Sequence, residues 1–254
     1  MNLIVGGDSV IGRAIASVWD RAGVKYLLST RRKEQVSAKC LYVDLAHQDW
    51  DELDGKGFDA VVFCAAITKL STCEDNPEYS RRVNVTSTSR LAEFLSKRSK
   101  YLLFLSSNQV FDGSMPNRQC SDAVCPINEY GRQKVDAEKG FFQIPNAAVL
   151  RLTKVIHPQW LLLKQWGDEL MKQCPIEVYG DMFLAPVSIE AAVNKINTLC
   201  DACVPGLHHL PSGKDISYYD FVSRHFAGLQ GVEGLIHKVS APKARLYPRY
   251  TSLI

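Results

Sequence analysis

NLIVGGDSVIGRAIASVWDRA, residues 2–22, is the stretch that decides the fold of this chain. A short apolar run ends at Gly6, and from Ile11 to Ala22 apolar side chains recur at the spacing of one helix face. Glycine at such a junction allows positive φ and lets a phosphate approach the backbone closely. The stretch therefore predicts a strand, a phosphate-binding turn and a helix in immediate succession.

The turn carries glycine at the first and last positions of a G-x-x-G-x-x-G pattern, Gly6 and Gly12, with Ser9 in the middle. Serine is small and its hydroxyl can cap the helix, so the turn can survive this change. The helix N-terminus offers free N–H groups and a positive dipole end to an anion. We expect Gly6, Ser9, Val10, Ile11 and Gly12 to hold a dinucleotide pyrophosphate. The alternative is a tight turn that binds nothing.

The alternation of strand and helix continues through the first 153 residues. Such alternation calls for parallel strands joined by right-handed crossovers. The strand-like runs are apolar throughout, which is typical of strands covered by helices on both faces. The predicted fold is α/β, a doubly wound and mostly parallel Rossmann sheet over residues 1–153. Strands are expected at 2–5, 25–29, 41–43, 60–65, 101–106 and 147–152, and helices at 11–22, 77–97 and 127–142.

Residues 154–254 follow a looser pattern. We expect them to form a small mixed α/β substrate-binding lobe that packs on the same core. Its predicted elements are helices at 160–172, 189–199 and 218–226, a strand at 176–179 and a short strand at 207–210.

The end of the second strand bears on cofactor choice. Residues 29–32 read STRR and contain no carboxylate, the group that would bond the adenine ribose of NAD. A guanidinium matches a 2′-phosphate in charge and in bidentate geometry, so Arg31 and Arg32 favour NADP. A solvated basic loop is the alternative. Asp44 and the adjacent Leu45, after the third strand, are expected at the adenine ring.

Three side chains form the predicted catalytic group. Tyr130 and Lys134 lie four residues apart at the start of a predicted helix and therefore share one face. A neighbouring ammonium favours the phenolate, so we expect a lowered pKa for Tyr130. We also expect Tyr130 and Lys134 to contact the cofactor, with Lys134 holding the nicotinamide ribose. Ser107 ends the fifth strand, where its hydroxyl could steady the same carbonyl oxygen. A lone Y-x-x-x-K is a weak signal, but the carboxyl edge of an α/β sheet is where such sites lie.

Composition excludes several function classes. A formal net charge of +3 without a dense Lys/Arg stripe argues against nucleic-acid binding. No run of about 18 apolar residues is present, so we expect no membrane span. The N-terminus lacks the basic start and apolar run of a secretion signal, which predicts a cytoplasmic protein. Cys200 and Cys203 form a C-x-x-C without a second ligand pair, so no metal site is expected.

The chain resembles the extended short-chain dehydrogenase/reductase family, and within it the dTDP-4-dehydrorhamnose reductases and related sugar-nucleotide reductases. The most specific match is LSSNQVFDG at 105–113, followed by YGRQK at 130–134 and Glu138. Further matches are CAA at 64–66, RVNV at 82–85, ISYYDF at 216–221 and YPRYTSL at 247–253.

The resemblance implies a fold, a cofactor and a reaction. It implies that Ser107, Tyr130 and Lys134 are catalytic, that Ala65, Ala66 and Asn84 also contact the cofactor, and that NADPH reduces a keto-sugar carried on a nucleotide. A homodimer is possible. Arg151 and Lys154, on and after the sixth strand, could face a diphosphate.

The chain departs from these reductases on the substrate side. Asn108, Gln109 and Tyr247 stand where Asp, Tyr and Arg are usual, and the stretches 114–127 and 156–186 are shorter. The sugar therefore stays open, as do two other functions. One is a nucleotide-sugar epimerase or dehydratase of the same family. The other is a catalytically silent, NADP-binding regulatory subunit.

Overall fold

The structure is a computed structural model that describes residues 1–241 and 247–254. Its strands are β1 (Asn2–Val5), β2 (Tyr26–Thr30), β3 (Cys40–Tyr42), β4 (Phe58–Phe63), β5 (Ser99–Ser107), β6 (Ala147–Leu152), β7 (Lys154–Ile156), β8 (Ile176–Tyr179), β9 (Phe183–Leu184), β10 (Pro186–Ser188), β11 (Gly206–His209), β12 (Ile216–Ser217) and β13 (Ile236–Val239). Its α-helices are α1 (Val10–Arg21), α2 (Leu70–Asp75), α3 (Pro77–Arg81), α4 (Thr88–Ser96), α5 (Glu129–Phe142), α6 (Leu161–Met171), α7 (Ile189–Ala202) and α8 (Tyr218–His225).

Seven strands form one central sheet in the order β11-β6-β5-β4-β1-β2-β3. Every neighbouring pair in it is parallel, so the carboxyl ends of all seven strands meet at one edge. The strand order reverses beside β1, where ligands bind in open α/β sheets. The predicted doubly wound Rossmann fold is confirmed.

Helices cover both faces of the sheet. On one face α1 and α7 bury apolar side chains such as Ile15 and Ile196 against the strands. On the other face α4 and α5 do the same, and the Phe141 ring stacks on Phe104 with 4.6 Å between centroids. Burial on both faces explains why the strands carry apolar residues without polar alternation.

The C-terminal segment contributes to two parts of the molecule. Strand β11 and helix α7 complete the central sheet and its helical cover. Strands β8 and β13 pair in parallel beside α6 and α8, with Leu170 and Val222 buried between them. The predicted division at residue 153 stays a prediction, but the central sheet draws on both sides of it.

The predicted helix at 77–97 is helical throughout but changes its winding. Between α3 and α4 the segment Arg82–Ser87 is a π-helix. Single π turns inside α-helices are frequent at functional sites. Sequence periodicity does not reveal this turn. Asn84, inside it, bonds Ile67 and Gln133, which lie far from it along the chain.

Two features of the structure bear on membrane spans and metal sites. Within residues 1–241 and 247–254, no helix is long and apolar enough to cross a membrane. Over the same residues, no group of three or more His, Cys, Asp or Glu side chains could hold a metal ion. Cys200 and Cys203 are free thiols.

Gly131 provides a test of how α5 is seated against the sheet edge. A Cβ at this position would lie 2.1 Å from the Gln109 carbonyl oxygen and 2.9 Å from Pro126 Cβ. Gly131→Ala should therefore lower the free energy of unfolding by about 1–3 kcal/mol, since backbone must shift to admit the methyl group. Urea denaturation measures this. Gly228→Ala, where nothing lies within 4 Å, is the control and should change little.

Candidate active site

A cavity of about 1170 Å³ runs along the carboxyl edge of the central sheet. The glycine turn, the ends of β2, β4 and β5, the start of α5 and the C-terminal segment all contribute to its wall. The structure brings together most of the predicted site there. Eleven predicted residues line it: Gly6, Ser9, Val10, Ile11, Arg31, Asp44, Leu45, Ala65, Ala66, Ser107 and Tyr130.

The glycine turn packs tightly against the chain that follows β4. Gly6 has φ +86°, and a Cβ there would lie 2.6 Å from the Ala65 nitrogen. Ser9 caps α1, its hydroxyl accepting a hydrogen bond from Gly12 N at 3.0 Å. Gly12 lies outside the lining, and a Cβ on it would meet the Gly6 oxygen at 2.6 Å. Ser9 thus stabilises the turn in place of a middle glycine.

The two predicted arginines are placed differently. Arg31 lines the cavity, whereas Arg32 does not, and its backbone N–H donates to Thr30 Oγ1 at 3.0 Å. Thr30 Oγ1 in turn donates to the Asp8 carboxylate at 2.7 Å. Asp8 also lines the cavity, and sequence reasoning missed it. Its position inside the glycine turn was visible, but its contact with β2 depends on the fold.

Asp44 and Asn84 have different surroundings. Asp44 lies in the lining. Burial favours its neutral form, yet hydrogen bonds from His47 and from Ala46 N hold the pKa of Asp44 below its usual range. Asn84 is buried outside the lining and bonds Ile67 N at 2.8 Å and Ile67 O at 2.9 Å. In this structure Asn84 fixes the loop after β4.

Tyr130 and Ser107 lie side by side in the lining. A hydrogen bond with the Ser107 hydroxyl lowers the pKa of Tyr130, but burial of the phenol raises it by more. The expected lowering by Lys134 is therefore wrong for this structure: the net direction is upward. The buried phenol stays protonated, which suits a proton donor.

Lys134 lies behind the tyrosine, outside the cavity lining. Its side chain is buried, and Nζ donates to the Leu105 carbonyl oxygen at 2.8 Å. Nζ lies 4.4 Å from the Phe104 ring centroid and 5.7 Å from that of Tyr130. Burial lowers the pKa of Lys134 to about 8, against the opposing effect of the Glu138 charge.

Arg151 and Lys154 also lie in different environments. Arg151 is buried and bonds the Glu138 carboxylate at 3.0 and 2.7 Å, so it does not face a diphosphate. Lys154 lines the cavity. The C-terminal tail reaches the cavity through Thr251, whose backbone N–H donates to Asp215 at 2.7 Å.

Comparison with known proteins settles the family. The profile of the RmlD substrate-binding domain matches residues 1–250. The chain belongs to this family. The resemblance found in the sequence motifs is thereby confirmed.

Two curated relatives cover part of the chain. A probable low-salt glycan biosynthesis reductase, Agl14 of Haloferax volcanii, is 30% identical over 182 residues, 66% of this chain and 59% of that protein. Methionine adenosyltransferase 2 subunit beta of Rattus norvegicus is 30% identical over 156 residues, 59% of this chain and 45% of that protein. The chain thus spans between about half and three fifths of the length of these relatives.

The fold also matches solved structures of the family. The dTDP-4-dehydrorhamnose reductase of Bacillus anthracis, in complex with NADP, superposes with a TM-score of 0.82 at 17% identity, covering 100% of this chain and 89% of that one. At this identity the likeness concerns the fold.

Buried Lys134 predicts an unusual dependence of stability on pH. Its pKa is near 10.5 when unfolded and about 8 when folded. Between these values the unfolded chain binds a proton that the folded chain does not, so rising pH favours folding. The unfolding free energy of the parent minus that of Lys134→Met should rise by about 3 kcal/mol between pH 7 and pH 10.5.

Urea titrations of parent and variant at both pH values measure this difference. Lys97→Met, an exposed lysine at the C-terminal end of α4, is the control. A difference between parent and Lys134→Met that does not vary with pH would contradict the burial of a charged amine.

Proposed function

We propose that this protein is an NADPH-dependent reductase of a keto-sugar carried on a nucleotide. One observation carries the proposal. A single cavity is lined both by the glycine turn, which resembles a phosphate-binding turn, and by the hydrogen-bonded hydroxyls of Tyr130 and Ser107. Membership of the RmlD substrate-binding domain family and the glycan biosynthesis reductase among the relatives support the same reaction class.

The residues present fit a dinucleotide. Gly6 lines the cavity without a side chain, and the capped N-terminus of α1 lies beside it. Gly6, Ser9, Val10 and Ile11 would hold the pyrophosphate, and Arg31 the 2′-phosphate. When bound, NADPH supplies the hydride that reduces a carbonyl carbon.

This chain's own residues manage the proton. As the carbonyl oxygen gains negative charge, the Tyr130 hydroxyl is the donor in reach, and the Ser107 hydroxyl steadies the same oxygen. Lys134 supports the pair from behind, where a positive charge stabilises the phenolate once the proton has left. The raised pKa of free Tyr130 means that the phenol holds its proton until the carbonyl oxygen takes it.

Removing the phenolic hydroxyl tests the mechanism. Tyr130→Phe should lower kcat for NADPH oxidation with a nucleotide keto-sugar by about a hundredfold or more, because the proton donor is lost while the ring remains. NADPH affinity, followed by fluorescence titration, should change little. Tyr26→Phe, a buried tyrosine outside the cavity, is the matched control. Full activity of Tyr130→Phe would end the proposed mechanism.

The two arginines give a paired test of cofactor choice. Arg31 lines the cavity and Arg32 does not. Arg31→Ala should therefore lower the affinity for NADPH about tenfold relative to the affinity for NADH. Arg32→Ala should leave the ratio nearly unchanged. Equilibrium titration with both nucleotides measures it, and an unchanged ratio in Arg31→Ala would refute the assignment of the 2′-phosphate.

A second candidate function rests on the similarity to a subunit of methionine adenosyltransferase 2. In that case the chain would bind NADP and regulate a partner without turnover. Stoichiometric NADPH consumption by the chain alone separates the reductase from the silent subunit. It also separates the reductase from an epimerase or dehydratase, which would return the cofactor unchanged.

A further inference from the structure

Lys154 occupies a position in the cavity that the proposed reaction has not used. In the sheet, Ser107 of β5 pairs in register with Leu152 of β6. Lys154 comes two residues later, at the start of β7, and lines the same cavity as Ser107 and Tyr130. A cationic side chain therefore stands at the sheet edge in the same cavity as the proposed catalytic hydroxyls.

This lysine has no anionic partner within the part of the chain that the structure describes. Over residues 1–241 and 247–254, no carboxylate forms an ion pair with Lys154. Its Nζ lies 4.3 Å from the Trp160 ring centroid, and burial lowers the pKa of Lys154. The neighbouring cation Arg151, which is buried, is paired with Glu138. Leaving a desolvated charge unpaired costs stability, which a ligand with a negative charge would offset.

His157 extends the same patch. Its Nδ1 is buried without a hydrogen-bond partner among the residues that the structure describes, and the residue lines the cavity. Burial first, and then the charges of Lys154 and Arg13, lower the pKa of His157. The neutral ring retains one N–H that can donate. An ammonium and an imidazole thus lie within electrostatic range of each other on one wall.

We propose that Lys154 and His157 form an anion-binding subsite for a negatively charged group of the substrate. Either a carboxylate on the sugar or the diphosphate that carries it has the required chemistry. The identity of the ligand as a nucleotide sugar rests on the proposed function, whereas the subsite itself rests on the unpaired groups.

The neighbours of Lys154 place the subsite on the substrate side. The Trp160 ring that contacts Lys154 also packs against Tyr218 and Phe221 of α8, with centroids 6.5 and 5.9 Å away. These residues belong to the C-terminal segment. The cofactor pyrophosphate already has the glycine turn and α1, so the subsite serves the other ligand.

The first experiment uses small anions and needs no cofactor. Parent, Lys154→Met, Lys154→Arg and Lys164→Met are melted with increasing malonate or inorganic pyrophosphate. Lys154→Met should melt above the parent without anion, because an unpaired and partly buried charge is gone, and should lose much of the anion-induced rise in Tm. Lys154→Arg should keep that rise. Lys164→Met, an exposed lysine on α6, should behave as the parent.

Two results would overturn the subsite. An anion response unchanged in Lys154→Met would exclude Lys154 as an anion ligand. A melting temperature of Lys154→Met below that of the parent would instead identify the lysine as structural support for Trp160.

The second experiment separates the sources of the anion. With NADPH present, affinities for UDP, UDP-glucose and UDP-glucuronate are compared in parent and Lys154→Met. If Lys154→Met lowers the affinity for all three equally, by about ten- to a hundredfold, the ligand of the subsite is the diphosphate. A loss confined to UDP-glucuronate assigns a sugar carboxylate. A lower affinity for NADPH, together with unchanged affinities for the three nucleotides, would overturn the assignment of the subsite to the substrate.

Failure of the proposed function looks different. Suppose that none of the three nucleotides binds the parent, while the anion-induced rise in Tm still depends on Lys154. This result would support the anion subsite and reject the proposed nucleotide-sugar reductase.

Discussion

The site depends on one buried amine. Lys134 is taken out of water at the carboxyl edge of the sheet, where the Leu105 carbonyl and the Phe104 ring contact its Nζ. Burial of a charge costs stability, and here it shows as a pKa lowered to about 8. Its Nζ lies 5.7 Å from the Tyr130 ring centroid. In the proposed mechanism a positive charge at this position would stabilise the phenolate. The fold therefore accepts an unfavourable group where catalysis would use it.

The parallel sheet makes this arrangement possible. Its seven strands end at one edge, so the glycine turn after β1, Ser107 at the end of β5 and the start of α5 meet there although they lie far apart in sequence. Close packing then fixes α5, since Gly131 lets the helix approach the Gln109 carbonyl. Hydrogen bonds between Glu138 of α5 and Arg151 of β6 connect this helix to the sheet. The cavity is the space that these rigid elements leave open.

Sequence reasoning recovered the parts of this molecule that local patterns encode. The strands of the central sheet, the capped glycine turn and the spacing of Tyr130 and Lys134 are properties of neighbouring residues. What it missed depends on contacts between distant segments. Asp8 meets Thr30 only after β1 and β2 pair, and Asn84 meets Gln133 only after the π turn packs on α5. The expected pKa of Tyr130 was wrong for the same reason, because burial is a property of the fold.

A crystal structure of the chain with NADP tests the central claim most directly. We expect the pyrophosphate to lie against Gly6 and Ser9 and the nicotinamide to face the Tyr130 hydroxyl, with Lys134 still buried behind the phenol. A dinucleotide bound elsewhere, or a nicotinamide distant from a Tyr130 that stays packed in the interior, would contradict it.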